Sequence, residues 1–321
     1  LLKIHIGSLP GGHLYHAVLA SLNYGIGFVL IHMLHFTVAT KQPAMTAARF
    51  AQAVERSSSG RAVNQKLAQL LIDVIRSQGV AVFGNVIVSV LLAVFISHAF
   101  AHHFGSPLLD TATTAYQLKS LAVFSTPALL FAAIAGVWLF CSGIISGFFD
   151  NRADYLNLRQ RLPFNPLLRK IMRPKPRRVL AAYIHKHYGS LAGNFIFGML
   201  LGMIGYFGHL LGLPLDIRHV AFSSANLGYA AVSGNVGFGT FMLGICSVLA
   251  IGLGNLIVSF TLALFVALRS RGTKIGSVGN LCKSFWQQIK ANPLILFFPV
   301  APVQTDKDGG KDTAKEGEDK H

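Results

Sequence analysis

Five stretches of this chain contain no Asp, Glu, Lys or Arg: residues 4–40, 77–109, 120–149, 187–215 and 219–268. Each is longer than the ~20 residues that cross a bilayer as a helix. Core helices of soluble proteins seldom stay uncharged for so long. Only 12% of the residues are charged, against about 25% in an ordinary soluble domain. The mean hydropathy of +0.52 agrees. These observations predict an all-α, polytopic helical membrane protein. The apolar runs are too long and unbroken for the short alternating strands of an outer-membrane barrel.

Turn residues and hydropathy place about five transmembrane helices, at about 15–38, 80–100, 121–148, 191–211 and 238–268, all within a membrane domain of residues 1–268. Gly252-Leu253-Gly254-Asn255 is a candidate kink in the last of them. Lys and Arg alternate strictly between the connections. Six lie in residues 39–79, one in 101–120, ten in 149–190, one in 212–237 and nine after 268. By the positive-inside rule the loops 39–79 and 149–190 and the C-terminus are cytoplasmic. The expected location is a bacterial inner membrane, spanned several times. The chain opens on Leu1 with no basic n-region and no small-residue cleavage site. The first apolar run is therefore expected to be a span, not a signal peptide, with sequence missing upstream.

The first cytoplasmic loop reads as a helical hairpin, 44–56 and 61–76, broken by Ser57-Ser58-Ser59-Gly60. Residues 269–303 form a juxtamembrane segment. Its apolar stripe Ile275, Val278, Leu281, Phe285 and Ile289 predicts a helix lying in the membrane interface. Residues 304–321 lack apolar content and are expected to be disordered.

The net charge of +16 would suggest nucleic acid in a soluble protein. Here most of it belongs to cytoplasmic loops. Its densest run is Arg169, Lys170, Arg173, Lys175, Arg177 and Arg178. Anionic lipid headgroups are its expected partner, at about 1 kcal/mol per cation near the surface. The run has no aromatic interleaving for stacking bases, so DNA ranks second.

Gly198, Gly202, Gly208 and Gly212 stand at GxxxG spacing in the fourth span. They predict close helix packing, or secondarily a ligand path along bare backbone. The same spacing allows a membrane-protein partner or a second copy. Asn194 and Asn255 are expected to add interhelical hydrogen bonds.

No cofactor or metal is expected. Cys141, Cys246 and Cys282 form no spaced motif, and no carboxylate or Cys joins His98 and His102 on their shared helix face. His32 and His35 lie deeper in the first span and are candidates for a proton or ligand role.

Asp216 and Arg218 are the only charges between residues 187 and 268. Isolated opposite charges beside a membrane pair or bind something. The loop 214–226 is therefore read as an anchored re-entrant turn or interfacial helix, with Asp216, Arg218, His219 and Asn226 as a candidate functional loop.

Four motifs carry a family resemblance. They are Leu22-Asn23-Tyr24-Gly25, the run His35 to Ala47, Tyr188-Gly189-Ser190-Leu191-Ala192-Gly193-Asn194, and the run Gly212 to Gly228. Across roughly residues 20–230 the chain resembles the bacterial multi-pass membrane proteins known as transmembrane site-specific recombinases. The resemblance implies DNA strand exchange and a longer N-terminus. A tyrosine recombinase needs several Arg and a His around the scissile phosphate, and a Tyr nucleophile. Arg177, Arg178, His185, His187 and Tyr188 are neighbours on the cytoplasmic side, but no H-x-x-R box is present: Tyr188 follows His185 by three, Ser190 follows His187 and Phe222 follows His219. Catalytic residues are therefore left unassigned. The favoured reading is a non-enzymatic membrane platform. The competing readings are a DNA-processing recombinase and a transporter or lipid-handling channel.

Overall fold

A computed structural model describes residue 6 and residues 9–35, 42–55, 61–273 and 277–298, and all regular elements among them are helical. Five helices are long and apolar enough to cross a membrane. They are α1 (His13–Met33), α3 (Arg61–Phe104), α5 (Ala128–Tyr155), α8 (Pro174–Leu211) and α10 (Phe238–Ser270). Shorter helices connect them: α2 (Gln42–Glu55), α4 (Thr111–Leu121), α6 (Leu158–Arg161), α7 (Pro166–Ile171), α9 (Val220–Ser233) and α11 (Val278–Ala291).

Several boundaries differ from the sequence reading, each for a local reason. The second arm of the expected hairpin is not separate. It runs into the second span as the 44-residue α3. Gly79 is the one weak position at that join, and a single Gly costs only ~1 kcal/mol relative to Ala. The third span begins at Ala128, not 121, with Pro127 at its N-cap, since proline disfavours helical backbone in the residue before it. Residues 111–121 instead form α4, which Asp110 caps by accepting from the Thr113 N–H. The Thr113 N–H and hydroxyl hold the Asp110 carboxyl below its ordinary value. The fourth span is the C-terminal part of α8, whose first turn carries Pro174 and Pro176, where proline lacks no needed donor. α10 continues through Gly252 and Gly254 as one helix.

α1 lies antiparallel along α8, α8 antiparallel along α5, and α5 parallel along α10. Small residues set the first of these contacts. A Cβ on Gly198 would run into the backbone of Tyr24 and Gly25, and one on Gly202 into the backbone of Ser21. Gly189 meets the Ser146 carbonyl on α5 in the same way, and Gly193 meets the Ser146 side chain and the Ser142 carbonyl. Such contacts exchange bulky packing for backbone approach, which suits helices in lipid. Behind them Tyr24, Phe28, Ala135, Leu139, Phe197, Leu201 and Ile204 form one apolar cluster. A second gathers around Val86, Val90, Ala132, Leu227, Val248 and Ile251.

The apolar stripe of α11 is covered in part by the bundle, while Val278 stays exposed. Leu281 is buried with Phe50, Val54, Leu67 and Ala68, and Phe285 packs beside it. α2 is also tied to the end of α10 by the Arg271–Glu55 ion pair. Ile275 and the 304–321 tail lie outside the described residues.

Candidate functional site

The candidate loop owes its shape to the end of α8. Gly212 closes that helix at a φ of 63°, a left-handed conformation that costs glycine little. The Leu213 N–H donates to Gly208 O at 2.9 Å, and Pro214 prevents continuation. No heavy atom lies within 4 Å of a Cβ built on Gly212, so this glycine serves the cap and not helix packing. Gly208 packs against the same turn, at Leu213 and Leu215.

The chain then runs without regular structure through residues 213–219, with a tight turn where the Leu215 N–H donates to Leu213 O. It reaches Asn255, near the middle of α10, and turns back as α9 beside the first half of α10. Asn255 is 2% exposed. Its Oδ1 accepts from the Val220 N–H at 3.0 Å, and its Nδ2 donates to Arg218 O at 2.9 Å and Ala132 O at 2.7 Å. One side chain thus holds three elements. It also satisfies a first-turn N–H of α9 that no residue of α9 can accept. The path is that of a re-entrant segment: it enters the bundle and leaves on the side it came from.

Burial gives the loop's two charges their pairing. Arg218 is 9% exposed. Its Nη1 meets Asp216 Oδ2 at 2.7 Å and donates to Ile217 O at 2.8 Å, and its Nε donates to Ser120 O at the end of α4. Asp216 Oδ1 accepts from the Ile217 N–H at 2.7 Å, and the Tyr116 hydroxyl lies 3.4 Å from Oδ2. A buried cation left without these partners would cost several kcal/mol.

Asp216, Arg218 and Asn226 line one cleft of about 570 Å³ between α1, α4 and α9. Asn23, Tyr24 and Phe28 come from α1, Thr113, Tyr116 and Gln117 from α4, and Phe222 and Tyr229 from α9. His219, the fourth candidate residue, does not join them. It is buried among Phe28, Phe197 and Phe222, and its Nδ1 has no partner among the described residues. The contributions of α1 and α4 escaped the sequence reading. The Asn23-Tyr24 pair had a signal in its motif, whereas Thr113, Tyr116 and Gln117 look like ordinary loop polarity.

The other histidines scatter. His13 stacks on His209 at 4.0 Å, and His32 shares a hydrogen bond with His187 at 3.2 Å. His98 and His102 lie on the exposed end of α3. Among the described residues, no three His, Cys, Asp or Glu side chains gather as metal ligands.

The basic run spreads over two helices. Arg169 and Lys170 belong to α7, Arg173 caps α8, and Lys175, Arg177 and Arg178 lie in the first turns of α8. All but Arg177 are exposed. Beside them Phe164, Leu167, Ile171 and Val179 are also exposed, Ile171 by 79%. Further along α8, His185 lies 3.5 Å from Asp154, His187 leans on Tyr183, and Tyr188 meets the edge of Phe149. His185 and Tyr188 thus face α5, whereas His187 faces His32 of α1.

The family described as site-specific recombinase matches residues 1–299. No curated protein and no solved structure matches the chain.

Proposed function

The chain belongs to the site-specific recombinase family, and for this member we propose a non-enzymatic platform in the bacterial inner membrane, with the C-terminus in the cytoplasm. The observation that carries the reading is the parting of His187, which turns to α1, from His185 and Tyr188, which face α5. A phosphoryl-transfer site needs its nucleophile and cations around one phosphate. Here Tyr188 packs on Phe149 of α5, while His187 turns to His32 of α1.

The basic run supports a lipid role. Exposed Phe164, Leu167 and Val179 flank the cations, and exposed Ile171 lies among them. That mixture suits a surface pressed into headgroups, where apolar side chains reach the acyl boundary and cations meet anionic lipid. A second copy or a membrane partner has room in an apolar groove of about 390 Å³ between α3 and α10, lined by Val82, Phe83, Leu253 and Phe260.

The test is strand exchange by the purified full chain and by its Tyr188→Phe variant. The platform reading expects no exchange from either. Exchange by the native chain that Tyr188→Phe abolishes would establish the enzyme and overturn the reading.

A further inference from the structure

The cleft between α1, α4 and α9 is built differently from the packing around it. α1 packs along α8 and leaves a gap towards α4 and α9. The gap has an apolar rim, since Ile31 and Tyr116 line the cleft and are themselves exposed. Leu22, Ile26 and Leu30 extend an exposed apolar face along α1. In a bilayer such a gap opens sideways onto acyl chains. At about 570 Å³ the cleft falls in the range of small-ligand sites, about 300–1,000 Å³.

Its floor is polar. Arg218 spends Nε and Nη1 on Ser120 O, Ile217 O and Asp216, and Nη2 takes no partner among the described residues. A guanidinium edge held this way matches a phosphate oxygen. Asp216 sits beside it, so the floor carries both signs and no net charge. Its walls are aromatic. Tyr24 stacks on Phe222 at 4.4 Å and Phe28 on Phe222 at 5.6 Å, with Tyr116 and Tyr229 also lining the space. Aromatic faces attract ammonium groups.

The pairing of charges selects among ligands. A purely anionic headgroup on Arg218 would crowd Asp216, and a purely cationic one would crowd Arg218. A group bearing both charges meets each with its opposite. We propose that this cleft binds the headgroup of a zwitterionic phospholipid, which enters sideways from the bilayer with its phosphate on Arg218 and its ammonium among Asp216 and the tyrosines. The site stands on its own geometry and does not depend on the platform reading.

The experiment uses the purified full chain in a neutral detergent, with phosphatidylethanolamine, phosphatidylglycerol and water-soluble glycerophosphoethanolamine as probes, and native mass spectrometry as the readout. The basic run also attracts anionic lipid, so the decisive quantity is the binding removed by filling the cleft. Asn226→Phe fills it and leaves the contacts of Arg218 and Asn255 in place. Phosphatidylethanolamine should bind one to one, and Asn226→Phe should weaken it by roughly tenfold or more, because the ring takes the space in which the headgroup would lie. Phosphatidylglycerol binding should not change with Asn226→Phe, and the soluble headgroup should bind far more weakly. A melting temperature equal to that of the native chain without lipid shows that Asn226→Phe has folded; if it falls, Gln117→Trp, which fills the cleft from α4, replaces it as the cleft variant. The proposal is overturned by phosphatidylethanolamine binding that ignores the cleft variant. It is equally overturned by cleft-dependent binding of phosphatidylglycerol in its place, or by a soluble headgroup that binds as well as the lipid.

Discussion

Replacing Asn255 by Leu should loosen the re-entrant segment more than any other single change on α10. The side chain makes three hydrogen bonds, to the Val220 N–H, Arg218 O and Ala132 O. Ala132 lies within α5, so the Asn255 bond adds to that helix's own ladder and its loss is cheap. Val220 N–H and Arg218 O belong to the turn into α9 and have no such reserve. Interhelical hydrogen bonds in membrane proteins contribute about 0.6–2 kcal/mol each, and a buried group left unpaired costs about 1–3 kcal/mol. The expected loss is therefore about 2–5 kcal/mol. Leu is close to Asn in length, so little of that would come from a cavity. Unfolding of the purified chain in mixed micelles, followed by circular dichroism, measures it. Asn255→Asp keeps the acceptor for Val220 but loses both donations, so it should not match the native chain. Stability of Asn255→Leu equal to the native chain would refute the reasoning: residues 218–220 would then be held by the surrounding packing alone.

Gly202→Leu should cost about 1–3 kcal/mol by forcing α1 from α8. Gly205→Leu on the same helix should be close to neutral, since nothing lies within 4 Å of its Cβ position; equal melting temperatures for the two variants would place the contact elsewhere. With Cys141, Cys246 and Cys282 replaced, a single Cys at Thr111 or Asn235 should react with an impermeant thiol reagent from outside intact cells, and one at Arg169 or Lys175 should not. Ser223 would be a poor labelling site because α9 buries it. Labelling of Lys175→Cys from outside would reverse the orientation.

The spans were legible because uncharged windows report directly on a solvent that tolerates no isolated charge. The pairing of Asp216 with Arg218 was also legible, since two lone charges inside one apolar window have few other fates. The depth of the loop was not. It depends on Asn255 and on Ser120 O, which is 98 residues away in sequence, and neither position differs in type from many other polar residues. α4 was hidden for a related reason: Thr111 to Leu121 is short and mixed in character, and only Asp110 and Pro127 mark its limits. The stripe on α11 was read correctly as apolar, but periodicity cannot say whether lipid or α2 and α3 will cover it. The cleft needs three separate helices at once, so a single-sequence reading could name only the residues of its own loop.

The platform reading is tested most directly by the salt dependence of DNA binding, measured on the native chain and on a variant with Arg169, Lys170, Arg173, Lys175, Arg177 and Arg178 all replaced by Gln. Contacts made only through so many cations should lose roughly a thousandfold in affinity between 50 and 200 mM salt. The account predicts such a loss, no preference among DNA sequences, and a parallel loss of binding to anionic vesicles in the six-Gln variant. Sequence-selective DNA binding that survives 200 mM salt would contradict it.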